Sequence, residues 1–290
     1  MYQIEVKNLT YVYSAETLCE EKALNDINLG IKKGEFIGLI GQTGSGKSTL
    51  AKQLNAILKP TTGNVFLDGV DIWKKPKEIQ NIRFRVGMVF QYPEHQIFED
   101  SVYKEISFGP RNMGLSETEI ERKVYLACNF VGLDVNLLYK SPFNLSGGEK
   151  RKIAIAGIVA MEPEVLILDE PTAGLDPKGR QQLLEHLKQY HDLNNKTIIL
   201  ISHNMEDIVK YTDKVAVLNN GKLEVFDETR KVFLDRNILK KIRIKPPQII
   251  TIMSALKEKY VSLDDNILTV DEAVSELLKL KKSRSEGFVK

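Results

Sequence analysis

Over the first hundred residues short apolar runs alternate with polar turns. Residues 4–9, 27–31 and 36–40 read as strands, and Val65-Phe66-Leu67 before Asp68-Gly69 reads as one arm of a hairpin. A further strand is expected at 86–90. The period then changes. Between Ser101 and Pro142 the apolar positions fall at helical spacing, with Ile120, Val124, Ala127 and Val131 on one face and turns expected at Gly109-Pro110 and Gly132. From Leu145 onward helices and strands alternate: helix 150–161, strand 165–168, helix 180–190, strand 197–201, helix 205–211. Such alternation predicts parallel crossover units. Strands at 215–218 and 223–226, joined across Asn219-Asn220-Gly221, close the series.

Past about Thr229 the pattern shifts. Lys/Arg-rich stretches surround Pro246-Pro247, and apolar positions recur at Ile249, Met253 and Leu256, then at Val274, Leu277 and Leu278. Thr269 and Glu272 fit a capping box for a last helix. The expectation is a main domain over 1–228, with a helical part at about 101–160, and a small α-rich domain over 229–290. That domain is expected to be folded to about Leu280, with residues 281–290 as a frayed tail.

Composition narrows the classes. With 290 residues and 42% hydrophobic content the chain has room for a sizeable core. Its 41 basic and 39 acidic residues leave a formal charge of +2, so nothing calls for nucleic acid as a partner. Cys19 and Cys128 lie far apart, without Cys or His at metal-ligand spacing, as suits reduced thiols. No run approaches the ~18–20 apolar residues of a membrane span, and Met1-Tyr2-Gln3-Ile4-Glu5 has none of the features of a secretory leader. Docking onto a membrane partner stays open.

Chemistry is concentrated in three places. Gly41-Gln42-Thr43-Gly44-Ser45-Gly46-Lys47-Ser48-Thr49 follows an apolar strand and opens a helix, the order of a phosphate-binding loop. The glycines let backbone N–H groups face the phosphates, Lys47 adds charge, the Ser48 hydroxyl suits Mg²⁺, and the helix start favours the anion. Val165-Leu166-Ile167-Leu168 runs into Asp169-Glu170, two carboxylates at the carboxyl edge of a parallel sheet, where ligands bind. One acid, Asp169, suits a metal, and Glu170 is then free to activate water. Leu145-Ser146-Gly147-Gly148-Glu149 contains a Ser-x-x-Glu capping box. A cap has no need of two glycines, each of which costs a helix up to about 1 kcal/mol. Their presence suggests a second anion contact at that helix start, on Ser146, Gly147, Gly148 and Glu149.

Taken in order, the phosphate loop, Gln91 after a strand, Leu-Ser-Gly-Gly-Glu, Asp169-Glu170, Ala173-Gly174-Leu175-Asp176 and His203 at a strand end resemble the ATP-binding cassette (ABC) ATPases over residues 1 to about 228. The resemblance implies an α/β P-loop NTPase with an antiparallel β subdomain and a helical insert. It also implies two cassettes paired head to tail, with ATP held between one phosphate loop and the other cassette's Ser-Gly-Gly helix. Carried over, Tyr13 is the aromatic on adenine, with Tyr11 as a competitor for that place. Gln91 contacts metal and water, His203 senses the γ-phosphate, and Asp176 joins the nucleotide-binding set. Glu149 stands where the family usually has Gln.

A closer resemblance, carried by Gln91-Tyr92-Pro93-Glu94-His95-Gln96-Ile97-Phe98-Glu99-Asp100-Ser101-Val102 and Phe108-Gly109-Pro110, is to the ATPase subunits of energy-coupling factor (ECF) importers. That group includes cobalt, nickel and vitamin uptake systems. The implied partners are a second ATPase, self or paralogue, a transmembrane coupling subunit and a substrate-binding membrane subunit, with the chain peripheral at the cytoplasmic face. Tyr92, Ile97 and Phe98 read equally as the wall of a docking groove and as core packing. The alternative class is a soluble, non-transport ABC ATPase, for which a coiled-coil insert or second cassette is expected. A small-molecule kinase would want an arginine-rich lid instead.

Overall fold

The computed structural model describes residues 1–242, 244–260, 263–264 and 266–286. Its strands are β1 (Ile4–Tyr13), β2 (Glu21–Ile31), β3 (Phe36–Gly41), β4 (Thr62–Leu67), β5 (Val70–Asp71), β6 (Val86–Val89), β7 (Val165–Asp169), β8 (Thr197–Ile201), β9 (Lys214–Asn219) and β10 (Lys222–Glu228). The helices are α1 (Lys47–Leu54), α2 (Ile79–Arg85), α3 (Val102–Asn112), α4 (Glu117–Val131), α5 (Gly147–Val159), α6 (Pro177–Asn194), α7 (Met205–Tyr211), α8 (Thr229–Leu234), α9 (Arg236–Ile242), α10 (Gln248–Lys259) and α11 (Val270–Glu286).

Two sheets result. One is antiparallel, ordered β2-β1-β4-β5. The other is ordered β10-β9-β3-β8-β7-β6, parallel except where β10 turns back on β9. The parallel strands are apolar along their middles because both of their faces are covered. Alternation survives inside those runs: Phe36 and Ile40 enter the core beneath the helices α3 to α6, while Ile37 and Leu39 enter the core shared with the antiparallel sheet and α1. The phosphate loop and the Asp169-Glu170 pair thereby reach the same edge of this sheet. Val232 and Phe233 of α8 and Leu239 of α9 join the helix-side core. Met253, Leu263, Ile267 and Ala273 form a small cluster of their own.

Several boundaries differ from the expected ones. β1 and β2 run on to Tyr13 and back to Glu21, because the alternate residues of a half-exposed sheet are polar and hide its ends. Gly109-Pro110 is not a turn. It lies in the last turn of α3, where a proline removes only a late hydrogen bond, and Pro110 is buried alongside Ile106. A Cβ on Gly109 would stand 2.7 Å from the Met161 Cγ, so the glycine lets α3 approach that side chain. The chain turns instead at Gly114, at φ 74°. Helix α6 starts at Pro177, and the segment expected as a tail from Lys281 is helical to Glu286, its remainder lying outside the described residues.

Candidate active site

Strand β3 delivers the phosphate loop. Gly41, at φ 152°, brings the chain so close to β9 that a Cβ would sit 2.2 Å from the Leu218 carbonyl. Gly46, at φ 101°, is the N-cap of α1, where a Cβ would be 2.6 Å from the Ala23 carbonyl. Gly44 differs: it is left-handed at φ 78° with nothing within 4 Å of a built Cβ, so its backbone faces open space. The Lys47 ammonium folds back over the loop and donates to the Gly41 and Gln42 carbonyls, both at 2.9 Å. Burial pulls its pKa down, and the charges of Glu170 and Asp169 oppose that pull.

A cleft of about 240 Å³ opens over this loop. Thr43, Gly44, Gly46, Lys47, Ser48 and Thr49 form its floor, Gln91, Asp169 and Glu170 one side, and Tyr13, Glu21 and Ala23 the other. The structure therefore separates the two tyrosines. Tyr13 lines the cleft, its hydroxyl 3.2 Å from Thr49 Oγ1, while Tyr11 packs against the apolar core and meets Tyr13 edge-on at 4.8 Å. Ser45 is buried beneath the loop and does not line the cleft. Glu21 and Ala23 escaped the sequence reading; Glu21 stands directly across the strand pair from Tyr13, so a correct β1–β2 register was the only signal.

At the end of β7, Asp169 is 5% exposed. Burial raises its carboxyl above the ordinary aspartate value, against a Ser48 hydrogen bond and the Lys47 charge, which lower it. Glu170 adopts a left-handed φ of 51°, and its N–H donates to the Ile201 carbonyl at 3.0 Å. Its Oε2 lies 2.8 Å from the His203 Nδ1. His203 itself is largely exposed, between β8 and α7, whose N-cap is the Asn204 side chain. An Arg180–Asp207 pair, at 2.8 to 3.0 Å, ties α6 to α7 behind it.

The Ser-Gly-Gly segment stands apart from this cleft. Ser146 and Glu149 form the expected capping box: the Ser146 N–H donates to Glu149 Oε2 at 2.9 Å, and Ser146 Oγ accepts from the Glu149 N–H at 3.3 Å. Hydrogen bonding by Ser146 holds the Glu149 carboxyl below its usual value. Among the described residues beyond the helix's own first turns, nothing lies within 4 Å of a Cβ built on Gly147, and one on Gly148 meets only Leu175 Cδ2, at 3.9 Å. Asp176 is exposed at the N-cap of α6 with no side-chain capping bond. None of Ser146, Gly147, Gly148, Glu149 and Asp176 lines the cleft of the same chain.

A second, more apolar cleft of about 400 Å³ lies between α3, α5 and β6, with Phe84, Phe90, Phe98, Phe108 and Ile158 on its walls. Tyr92, Ile97 and Phe98 divide here. Ile97 belongs to the core, Phe98 stands edge-on to Phe108 at the cleft, and Tyr92 stacks on His95 outside it.

Residues 24–173 match the family described as ABC transporter. The chain is 51% identical over 283 residues to the energy-coupling factor transporter ATP-binding protein EcfA2 of Clostridium tetani, covering 97% of this chain and 98% of that one. It is 50% identical to the protein of the same name in Acetivibrio thermocellus, covering 95% and 98%. Among solved structures, cbiO1 of Clostridium perfringens, part of the ABC transporter complex cbiONQ, superposes with a TM-score of 0.73 at 39% identity, over 87% of this chain and 99% of that one. A dimeric ATP-binding cassette in a post-hydrolysis state with ADP and phosphate superposes at 0.72 with 26% identity, over 78% and 98%. The chain thus belongs to the ABC transporter ATPases as an ATP-binding subunit of an energy-coupling factor importer.

Proposed function

We propose that the chain hydrolyses ATP at a site completed by a second cassette, and that this drives an importer for vitamins or transition-metal ions. The observation that carries the reading is the contact at 2.8 Å between His203 and Glu170, the latter lining the cleft together with Lys47 and Asp169.

In this reading Tyr13 stacks on adenine, and the N–H groups of residues 43 to 49 with the Lys47 ammonium hold the phosphates. The Ser48 hydroxyl and Asp169 carboxylate are adjacent hard oxygen donors that fit Mg²⁺, with Gln91 on the same wall. Bound there, Mg²⁺ neutralises phosphate charge. Glu170 accepts a proton from water as its oxygen bonds to the γ-phosphorus and the bond to the bridging β–γ oxygen breaks. The charge left on that oxygen faces Lys47, and His203 holds Glu170 in place and reads the γ-phosphate. Ser146, Gly147, Gly148, Glu149 and Asp176 act on the nucleotide of the facing cassette, which explains why they lie outside the cleft of their own chain.

The cassette spans 1–228 with its helical part at about 101–160, its core also taking in Val232, Phe233 and Leu239, and the remainder of the 229–290 segment serves pairing. Val270, Val274, Leu277 and Leu278, all exposed on α11, support that role. The chain sits peripherally at the cytoplasmic face, its apolar cleft seated on a transmembrane coupling subunit. Cargo is chosen by a separate substrate-binding membrane subunit. Among the described residues no helix is long and apolar enough to cross a membrane, as a peripheral seat requires.

The test is Glu170→Gln. Turnover is expected to fall by about a hundredfold or more while Mg·ATP still binds. Parental turnover in that variant would overturn the base assignment. With Mg·ATP the same variant is expected to double in mass, alone or with an added second cassette; failure in both settings would overturn the composite site.

A further inference from the structure

Outside the cleft, one largely buried charge pair joins two segments and faces a third, and these carry parts of both half-sites. Arg151 of α5 is 4% exposed and Glu94, in the short helical turn after Gln91, is 16% exposed at the side chain. The guanidinium grips the carboxylate with both prongs, Nε to Oε2 at 3.0 Å and Nη2 to Oε1 at 2.7 Å. Burial lifts the Glu94 carboxyl, but the Arg151 hydrogen bond and charge outweigh it, so the acid stays below its usual value. Among the described residues the remaining nitrogen, Nη1, is buried without a hydrogen-bond partner. It faces Gly174, where a built Cβ would lie 3.8 Å away. Gly174 sits at φ 75° in the turn between Glu170 and Asp176.

A buried ion pair is weak as a source of stability, since apolar residues of the same volume often serve as well, whereas a two-pronged guanidinium fixes distance and angle together. We propose that the Arg151–Glu94 pair is a positioning device: it links the Gln91 segment rigidly to the Ser146–Gly148 helix start, with Nη1 facing the Glu170–Asp176 turn. Nucleotide contact at Gln91 thereby sets the aim of the helix that faces the other cassette. This rests on the composite-site reading, because Arg151 touches neither nucleotide nor metal and acts only through the segments it joins.

The experiment uses the purified ATPase pair containing this chain, in parental form and as Arg151→Lys, Glu94→Gln and the exchange Arg151→Glu/Glu94→Arg. Each is measured for Mg·ATP affinity, turnover and melting temperature, and, with Glu170→Gln added, for ATP-driven closure by mass. Expected for either single change is an affinity within about twofold of the parent, a kcat lower by about tenfold, and weaker closure, with the exchange recovering part of the lost turnover. Unchanged kcat and closure in both singles would overturn the proposal. So would losses of affinity and turnover that simply follow the melting temperature, the signature of a merely structural pair. If the parental Glu170→Gln pair fails to close on ATP at all, the composite site falls first and this inference falls with it.

Discussion

Asp169 is expected to pull stability and turnover in opposite directions. Because its folded-state pKa is raised, folding favours the neutral acid, and stability is lost as pH rises through the unfolded and then the folded pKa. At neutral pH the ionised carboxylate is therefore a burden on the metal-free protein. Asp169→Asn is expected to melt at a higher temperature than the parent at pH 7 without Mg²⁺, yet to turn over ATP about a hundredfold more slowly or worse. A lower melting temperature would show that the Ser48 contact outweighs burial. At His203 the expectation has a different shape. Its ring is exposed, so His203→Ala should leave the melting temperature nearly unchanged while lowering kcat by about ten- to a hundredfold. Equal kcat would remove the histidine from the mechanism.

At this scale much was legible, and the reason is local. The loop from Gly41 to Thr49 and the Asp169-Glu170 pair are each contiguous in the chain, so their order alone predicted that they meet, and both line one cleft. Tyr13 against Tyr11 was not legible. Both lie on one strand, and which one faces the cleft depends on how β1 shifts register against β2 between Leu9 and Val12.

Among the elements, the strands β3, β7 and β8, apolar but for their end residues, were plain because both faces are covered. The start of α6 was missed, although Pro177 is a favoured first helical residue. Gly109-Pro110 misled for the opposite reason, since a turn dipeptide is tolerated at the end of a helix whose neighbour needs the space. Gly38 shows how such close approach bears on the site. It lies mid-strand in β3, where a built Cβ would be 2.9 Å from Ile208 Cγ2 and 3.3 Å from Thr212 Oγ1. Gly38→Ala must push α7 outward, and α7 begins two residues after His203. The expected result is a destabilisation of about 1–3 kcal/mol by thermal or denaturant unfolding, together with reduced turnover. A variant as stable as the parent would show that α7 yields freely.

For the molecule as a whole, the C-terminal segment is joined through α8. Val232 and Phe233 are fully buried in the main core although they lie past residue 228. Ending the chain at 228 is therefore expected to lower stability by about 3 kcal/mol or more, whereas ending it at 247 keeps both side chains and should cost far less. Melting curves of the two truncations decide this, and equal curves would make α8 dispensable. The sequence pattern marked this region by its change of style, but the pattern could not reveal that its first helices belong to the neighbouring core, because an apolar face does not name its partner.

The separation of the Ser-Gly-Gly helix from the phosphate loop has a consequence for fuel economy in the cell. On the composite-site reading a lone chain carries the reagent for each half of the reaction and completes neither. Subunits made in excess of their membrane partners then idle, and at low concentration the specific activity should climb in proportion to the amount of protein, as for a reaction between two molecules.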